Sequence, residues 1–180
     1  MTIPLNVELK GPRVSLRRFT WADAERVNEI LSDWDVARML RMAPYPPAIE
    51  DTSRWLGEHE GEWRSGNAYR FAVVTKSRVI GCADLDEILN GTGELGYWFD
   101  RAYWGNGFAL EAAALVHEFA WQTLGLDRLV SGHALDNPAS GRILERLGFV
   151  RTGDRPRWYR SRQAEVPHRH YVCELRFVDG

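Results

Sequence analysis

The spacing of hydrophobic and polar positions along the chain predicts a mixture of short strands and four helices. Apolar positions that alternate, or that form short β-branched runs, predict strands, whereas apolar positions three to four residues apart predict helices. The predicted strands are residues 13–17, 69–75, 78–84, 94–99, 128–133, a strand that contains Phe149, and 168–177. The predicted helices are residues 21–31, 49–63, 107–124 and 137–147.

Local signals support several of these boundaries. Thr20, with Asp23 three residues later, approximates a capping box and predicts the start of the first helix. Gly125 and Gly148 follow the third and fourth helices, where a glycine commonly ends a helix. The pair Asn90-Gly91 predicts a tight turn before the fourth strand.

The order of the elements predicts the sheet topology. A helix between the fourth and fifth strands predicts a right-handed crossover that leaves these two strands parallel. Short turns elsewhere predict antiparallel neighbours. We therefore expect one α/β domain over residues 1–180, with a mixed, mostly antiparallel sheet of about seven strands. Ligand chemistry is expected at the carboxyl end of the fourth strand.

Composition and charge exclude several classes of partner. The 180 residues include 23 basic and 25 acidic side chains, a net charge of −2, so no overall positive field would hold DNA or an anionic membrane. The first residues have neither a cationic nor a long apolar stretch, which predicts no signal peptide. No apolar run approaches the roughly 18 residues of a membrane span. Two cysteines fit reduced thiols, and we expect a cytoplasmic protein.

A glycine-rich connection lies between the fourth strand and the third helix. Gly105 and Gly107 would let the backbone approach a ligand closely, and free N–H groups at a helix N-terminus favour an anion. An ordinary glycine-rich turn explains the same residues equally well. The pattern Gly91-x-Gly93-x-x-Gly96 matches a dinucleotide-binding fingerprint, but a predicted strand rather than a helix follows it. We interpret that match as accidental.

Other motifs that would carry chemistry are weak or missing. The chain has neither a P-loop nor a Gly-x-Ser-x-Gly nucleophile turn. His168 and His170 would share one face of a strand while Cys173 points to the other, which predicts no metal site. Asp84, with its acidic neighbours Asp86 and Glu87, is interpreted as a solvated strand end.

Two segments give the chain a likeness to a known family. Residues 104–112 read Trp-Gly-Asn-Gly-Phe-Ala-Leu-Glu-Ala, and residues 137–149 contain Asn-Pro-Ala-Ser followed by Ile-Leu-Glu-Arg-Leu-Gly-Phe. In this order they resemble the GCN5-related N-acetyltransferases (GNAT), and more narrowly the RimJ/RimL-like acetyltransferases of ribosomal-protein N-termini. The resemblance covers nearly the whole chain. It implies a GNAT-type sheet that is splayed between the fourth and fifth strands, with helices on both faces.

The resemblance implies acetyl-coenzyme A as the co-substrate, with no metal. The family's diphosphate loop falls on residues 104–109, with Trp104 where relatives carry Gln or Arg. The fourth strand would pair with the pantetheine arm and offer a backbone N–H to the thioester oxygen. The residues assigned to cofactor binding in this way are Tyr97, Trp98, Phe99, Trp104, Gly105, Asn106, Gly107, Phe108, Ala109, Leu110 and Asn137.

The resemblance also implies candidates for two proton transfers. Leu144 stands where many relatives have a tyrosine acid, and Ser140 stands where the ribosomal branch has a serine proposed to protonate the departing thiolate. The alternative for Ser140 is a hydroxyl that bonds back into its own helix. Glu94 is the candidate base, acting through water, and a solvent-facing side chain is the alternative.

The favoured acceptor is the α-amine of a protein N-terminus, such as that of a ribosomal protein. A site without a strong base suits an α-amine, whose pKa is near 8, better than a lysine with a pKa of about 10.4. Three alternatives stay open: acetylation of a small amine such as a polyamine or an antibiotic sugar, a non-catalytic coenzyme A-binding module, and a dinucleotide oxidoreductase. Whether the chain forms a homodimer is also open.

The arginines and tryptophans add two expectations about the acceptor side. Five arginines in residues 151–162 would grip an acidic peptide or ribosomal RNA, unless they belong to a solvated loop. Among the eight tryptophans, Trp98 and Trp104 fall in the cofactor segments. The expected acceptor-side residues are Trp55, Trp63 and Trp158, and the expected packing residues are Trp21, Trp34 and Trp121.

Overall fold

The structure, a computed structural model, describes residues 3–175. The strands are β1 (Glu8–Lys10), β2 (Ser15–Arg18), β3 (Tyr69–Thr75), β4 (Arg78–Leu89), β5 (Thr92–Phe99), β6 (Arg128–Ala134), β7 (Val150–Asp154), β8 (Arg157–Tyr159), β9 (Ala164–Val166) and β10 (His168–Glu174). The α-helices are α1 (Ala24–Leu31), α2 (Trp34–Ala37), α3 (Ile49–Ser65), α4 (Phe108–Glu118) and α5 (Pro138–Arg146). Short 3₁₀ turns occupy Trp21–Asp23 and Arg101–Tyr103, and a π-helical turn occupies Phe119–Thr123.

Eight strands form one sheet in the order β1-β2-β3-β4-β5-β6-β10-β7, and β8 pairs with β9 in a separate hairpin. Every neighbouring pair in the large sheet is antiparallel except β5 and β6. The predicted mixed, mostly antiparallel fold is therefore confirmed. The sheet has one strand more than expected because β1 is only three residues long, too short to show an alternating pattern. The same brevity hid the β8–β9 hairpin.

The parallel strands β5 and β6 are paired only at their beginnings. Residues 92–94 pair with residues 128–130, and the pairing then stops. At this point the Ser131 hydroxyl donates to the Leu95 carbonyl oxygen, 2.7 Å away, across the start of the gap. The opening between the carboxyl-terminal half of β5 and β6 is the predicted splay of the sheet.

Helices cover both faces of the sheet, as predicted. Side chains under α4 form one core cluster, which includes Leu16, Phe71, Ile80, Leu95 and Val116. Side chains under α1 and α3 form a second cluster, which includes Val27, Val36, Leu56, Ala72 and Cys82. Burying each large apolar side chain contributes about 1.5–3 kcal/mol, so these two layers hold the sheet between them. None of the helices within residues 3–175 has the length and the apolar composition that crossing a membrane requires.

The predicted helix boundaries hold, with local detail added. The backbone N–H of Thr20 donates to the Asp23 carboxylate at 2.7 Å, which closes the capping box before α1. Arg17 of β2 bonds the same carboxylate with both terminal nitrogens, at 2.8 and 2.9 Å, and so ties the helix start to the sheet. The long helix predicted at residues 107–124 is α4 followed by the π-helical turn, and Gly125 with φ of +66° ends it. The predicted last strand included Arg176 and Phe177, which lie outside the described residues.

Candidate active site

A groove of about 830 Å³ passes through the splay between β5 and β6. One end is walled by the loop before α4 and by the first turns of α4 and α5. The other end lies under a roof, made of residues 38–47 and the β8–β9 hairpin. The groove lining includes Glu94, Tyr97, Trp98, Phe99, Trp104, Gly105, Gly107, Phe108, Ala109, Leu110, Asn137 and Ser140. The fold thus brings together the residues singled out from the sequence, except for Asn106.

The glycine loop, residues 104–107, has a backbone that only glycine adopts readily. Gly105 and Gly107 have φ of +76° and +80°, in the left-handed region where a β-carbon would be strained. The Trp104 indole N–H donates to the Phe99 carbonyl oxygen at 2.9 Å. The Asn106 amide donates to the carbonyl oxygens of Trp104, at 3.0 Å, and of Tyr103 in the preceding 3₁₀ turn, at 3.3 Å. The Asn106 side chain therefore braces the loop, and any cofactor contact would come from its backbone.

Arg13 stabilises the glycine loop, although no sequence motif identified it as a site residue. Its guanidinium donates to the Asn106 carbonyl oxygen at 2.8 Å and to the Glu111 carboxylate at 2.8 Å, and it stacks 4.9 Å from the centre of the Phe108 ring. These bonds join the connection before β2 to the start of α4. No sequence signal could identify this contact, because the two segments are more than 90 residues apart.

Tyr97 and Ser140 meet across the splay. Their hydroxyl oxygens are 3.0 Å apart, and the Tyr97 hydroxyl also lies 3.0 Å from the Ser140 carbonyl oxygen. Burial raises the pKa of Tyr97 well above its usual value, which keeps this hydroxyl protonated. The Ser140 hydroxyl thus contacts Tyr97 instead of bonding back into α5. Leu144, at the position of the relatives' tyrosine, is fully buried in the core.

Glu94 lies on the opposite face of β5 from Tyr97. Side chains alternate along a strand, so Glu94, Gly96 and Trp98 share the face toward α1 and α3. Glu94 is half-buried in the groove wall, so it does not simply face solvent. Burial raises the pKa of Glu94 above its usual value, although Arg41 acts against this shift. A carboxylate with a raised pKa is a better proton acceptor near neutral pH.

Asp84 corrects the interpretation of the acidic residues as a solvated strand end. It lies in the middle of β4, is only 8% exposed, and faces Gly96 in register. A β-carbon at Gly96 would overlap the Asp84 carboxylate, so the glycine makes room for the charge. Burial raises the pKa of Asp84, and Arg70, 3.6 Å away, opposes this shift. No pattern within β4 alone indicates this contact, because the pairing of β4 with β5 sets the register that places Asp84 opposite Gly96.

The Asp136 clamp, formed by Arg38, Asp136 and Arg162, ties the roof to the start of α5. Arg162 donates to the two Asp136 carboxylate oxygens at 2.8 and 3.0 Å, and Arg38 donates to one of them at 3.1 Å. Arg162 also donates to the Arg38 carbonyl oxygen at 2.6 Å. Because Asp136 immediately precedes Asn137, the clamp links the roof with the helix that carries Ser140.

Several tryptophans lie in places other than those expected from the sequence. Trp55, Trp98 and Trp104 line the groove. Trp63 was expected at the acceptor side, but it is buried in the core and donates to the Ile3 carbonyl oxygen at 3.3 Å. Trp158 is half-exposed outside the groove lining. The three expected packing residues are partly or largely exposed; they are Trp21, Trp34 and Trp121.

Two further sequence patterns, the glycines that follow Gly91 and the histidines of the last strand, have structural roles. Gly93 and Gly96 lie within β5, so the pattern that begins at Gly91 lacks the helix that a dinucleotide site needs. The buried His168 ring shares a hydrogen bond of 2.9 Å with the Tyr159 hydroxyl, and burial lowers the pKa of His168 to about 3. Within the described part of the chain, no three His, Cys, Asp or Glu side chains are grouped to hold a metal ion.

The sequence of the chain is similar to those of known acetyltransferases. A family model described as an acetyltransferase (GNAT) domain matches residues 13–150. The "Probable N-acetyltransferase YjcK" of Bacillus subtilis (strain 168) is 30% identical over 154 residues, which cover 81% of this chain and 84% of that protein. The ribosomal-protein-serine acetyltransferase of Escherichia coli (strain K12) is 34% identical over 107 residues, or 58% of this chain and 59% of that protein.

A solved structure supports the same fold. The RimL ribosomal L7/L12 alpha-N-protein acetyltransferase, in complex with coenzyme A, has a TM-score of 0.84 at 16% identity, over 93% of this chain and 98% of that one. At this identity the likeness shows a shared fold. Together with the family match over residues 13–150 and the 30% identical relative, it confirms the family predicted from the two motifs. The chain belongs to the GNAT family of N-acetyltransferases.

Proposed function

We propose that this acetyltransferase moves the acetyl group from acetyl-coenzyme A to the α-amine of a protein N-terminus. The observation that carries the proposal is a single groove with two chemically different ends. One end offers backbone N–H groups and exposed arginines, and the other offers partly buried carboxylates beneath the roof. Relatives named as acetyltransferases of ribosomal proteins support a protein acceptor.

The end at the glycine loop suits the donor. A diphosphate would accept hydrogen bonds from the backbone of residues 105–110, where the α4 dipole also favours negative charge. Arg142 and Arg146 of α5 line this groove, are exposed, and have no acidic partner within residues 3–175. They would add the positive charge that a nearly neutral protein otherwise lacks. Trp104 would supply an aromatic surface in place of the relatives' polar side chain.

The splay suits the reacting thioester. In the proposed reaction the amine nitrogen attacks the acetyl carbon, the carbon–sulfur bond breaks, and the sulfur leaves as a thiolate that must gain a proton. The backbone of residues 97–99 would polarise the carbonyl oxygen. The Ser140 hydroxyl would give its proton to the thiolate and regain one from water. The Tyr97 hydroxyl, 3.0 Å away, would turn from the Ser140 carbonyl oxygen to donate to the serine oxygen during this transfer.

The acidic face of β4 and β5 suits the incoming amine. An ammonium group must lose a proton before it can attack, and Glu94 would accept that proton through water. Asp84 and Glu94 both have raised pKa values because they are buried. A raised carboxylate pKa brings the base closer to the pKa of an α-amine, near 8, which favours proton transfer.

Thiol release from acetyl-coenzyme A tests this function. The acceptors would be short peptides with a free N-terminal Ser or Ala, the same peptides with a blocked N-terminus and one lysine, and small polyamines and aminoglycosides. We expect turnover with the free N-terminus and none with its blocked partner, and mass spectrometry should place the acetyl group on the α-nitrogen. Turnover of small amines alone would refute the peptide assignment. Binding of acetyl-coenzyme A without any turnover would indicate a binding module.

A further inference from the structure

Two arginines stand at the roof end of the groove without an acidic partner. Arg41 lies in the loop before α3, and Arg157 begins β8. Both are half-buried. Across residues 3–175 neither guanidinium makes an ion pair or a hydrogen bond, whereas Arg151, Arg162 and Arg169 each pair with an aspartate. Glu94 lies close enough for both arginines to lower its pKa, but it forms no direct ion pair with either. A ligand carboxylate would supply the direct bonds that these half-buried guanidiniums lack.

The two side chains flank the same part of the groove. Arg41 lines the main groove, and Arg157 lines an adjoining pocket of about 420 Å³. The two cavities share Glu94, Ser131 and His168 as lining residues, so they adjoin at these side chains. The Arg160 backbone N–H bonds the Arg41 carbonyl oxygen at 2.6 Å, which holds the Arg41 loop against the hairpin.

The phosphates of the donor would lie too far from these two arginines to contact them. Glu94 and Phe99 are five residues apart on β5, which corresponds to about 17 Å along a strand. The glycine loop begins beyond Phe99, whereas Arg41 and Arg157 lie near Glu94, close enough that both lower its pKa. The phosphates of the donor would therefore bind at the far end of the groove, and the two cations are left for the acceptor.

Charges of both signs line this end of the groove. Arg70 pairs with Asp84 and Asp86, whereas Glu87 and Glu94 line the groove without an ion pair to any of residues 3–175. Arg41 and Arg157 lie close to Glu94. An acceptor whose amine approaches Glu94 could therefore bring an anionic side chain, a few residues along, to the two arginines.

Resting on the proposed function, we propose that Arg41 and Arg157 bind an acidic side chain of the acceptor. The preferred substrate is then a peptide N-terminus with Asp or Glu within its first few residues. Arginine suits this role because its planar guanidinium can bond both oxygens of a carboxylate. The same arrangement explains why a roof and an adjoining pocket extend beyond the reacting centre.

A matched peptide series tests the proposal. Peptides that begin with Ser or Ala would carry Asp or Glu at positions 2 to 4, or the isosteric Asn or Gln. For the unaltered protein we expect kcat/KM to be at least about tenfold higher for the acidic peptides, since hydrogen bonds to charged groups contribute that much. Arg41→Gln and Arg157→Gln should each reduce this preference, and the double variant should abolish it. Both arginines also lower the pKa of Glu94, so the readout is the ratio of kcat/KM for acidic and amide peptides and not either value alone.

Arg151→Gln is the matched control. Arg151 lies in the same arginine-rich segment, but it is exposed, pairs with Asp154 at 2.7 Å, and does not line the groove. The control should keep the full preference for acidic peptides. The thermal shift produced by acetyl-coenzyme A would show that each variant is folded and binds donor, and Arg41→Lys should retain part of the preference.

The outcomes separate the inference from the function on which it rests. Equal kcat/KM for acidic and amide peptides, or an equal loss of preference in Arg151→Gln, would overturn the inference while peptide turnover upholds the function. Turnover of free aspartate or glutamate in place of peptides would assign the arginines to an amino-acid carboxylate and overturn the peptide acceptor. Failure with every peptide alongside turnover of other amines would refute the proposed function itself.

Discussion

Replacing Asp136 by Asn should loosen the roof and leave the glycine loop untouched. The substitution keeps the shape of the side chain but removes the charge that holds Arg162 and Arg38. Arg162 would keep its bond to the Arg38 carbonyl oxygen and its stacking on Tyr159, 5.3 Å from the ring centre, so we expect a loosened rather than a detached hairpin.

The size of the effect follows from the partial exposure of the clamp. Hydrogen bonds to charged groups contribute about 1.5–3 kcal/mol when buried, whereas an exposed ion pair contributes about 0–1 kcal/mol. Arg162 is 17% exposed and Asp136 is 47% exposed, so we expect a loss of about 1–2 kcal/mol in the free energy of unfolding. If the same amount is lost from acceptor binding, KM for the peptide rises roughly 5- to 30-fold.

The pH dependence of this loss has a definite sign. Hydrogen bonds from Arg162 hold the pKa of Asp136 below its usual value. The stabilisation is therefore present above the unfolded-state pKa of about 3.9 and disappears as the pH falls through the lower folded-state pKa. Denaturant unfolding at pH 7 should separate Asp136→Asn from the unaltered protein, and the difference should disappear at strongly acidic pH.

Asp154→Asn is the matched control for the clamp. Asp154 also has two arginine partners, Arg169 at 2.9 Å and Arg151 at 2.7 Å, but it lies at the end of the edge strand β7 and does not line the groove. Its replacement should leave KM for the peptide unchanged. Equal KM values for Asp136→Asn and the unaltered protein would refute the role of the clamp in holding the roof.

Three further predictions concern the groove itself. Ser140→Ala should lower kcat roughly 100-fold with little change in donor binding, because general acid catalysis contributes at least that much, and undiminished turnover would remove Ser140 from the acid role. Gly96→Ala should lower the free energy of unfolding by about 1–3 kcal/mol because its β-carbon overlaps the buried Asp84 carboxylate. Its control, Gly61→Ala in α3, meets no atom within 4 Å and should be neutral or stabilising in the same denaturant assay. Acetyl-coenzyme A should quench tryptophan fluorescence, less so in Trp104→Phe but unchanged in Trp121→Phe, and equal quenching in both would contradict donor contact with Trp104.

Much of the fold could be predicted because its signals are local. The left-handed glycines of the loop, the capping box of Thr20 and the helical spacing under α4 each depend on residues only a few positions apart. The short strands β1 and β8 could not be predicted from the sequence, because three residues form a strand only when a partner strand supplies the hydrogen bonds. The candidate site was found as a set of positions, without the contacts that join them.

The sequence by itself determined most of the elements and the family, since backbone preference, side-chain period and short motifs act within each segment. Only the tertiary structure decided which side chains meet. Tyr97 meets Ser140, 43 residues away, because the sheet splays between β5 and β6. Asp84 is buried because the register of β4 places it opposite Gly96. Such contacts depend on strand register and packing across the whole domain, which are set by the free energy of the assembled fold and not by any one segment.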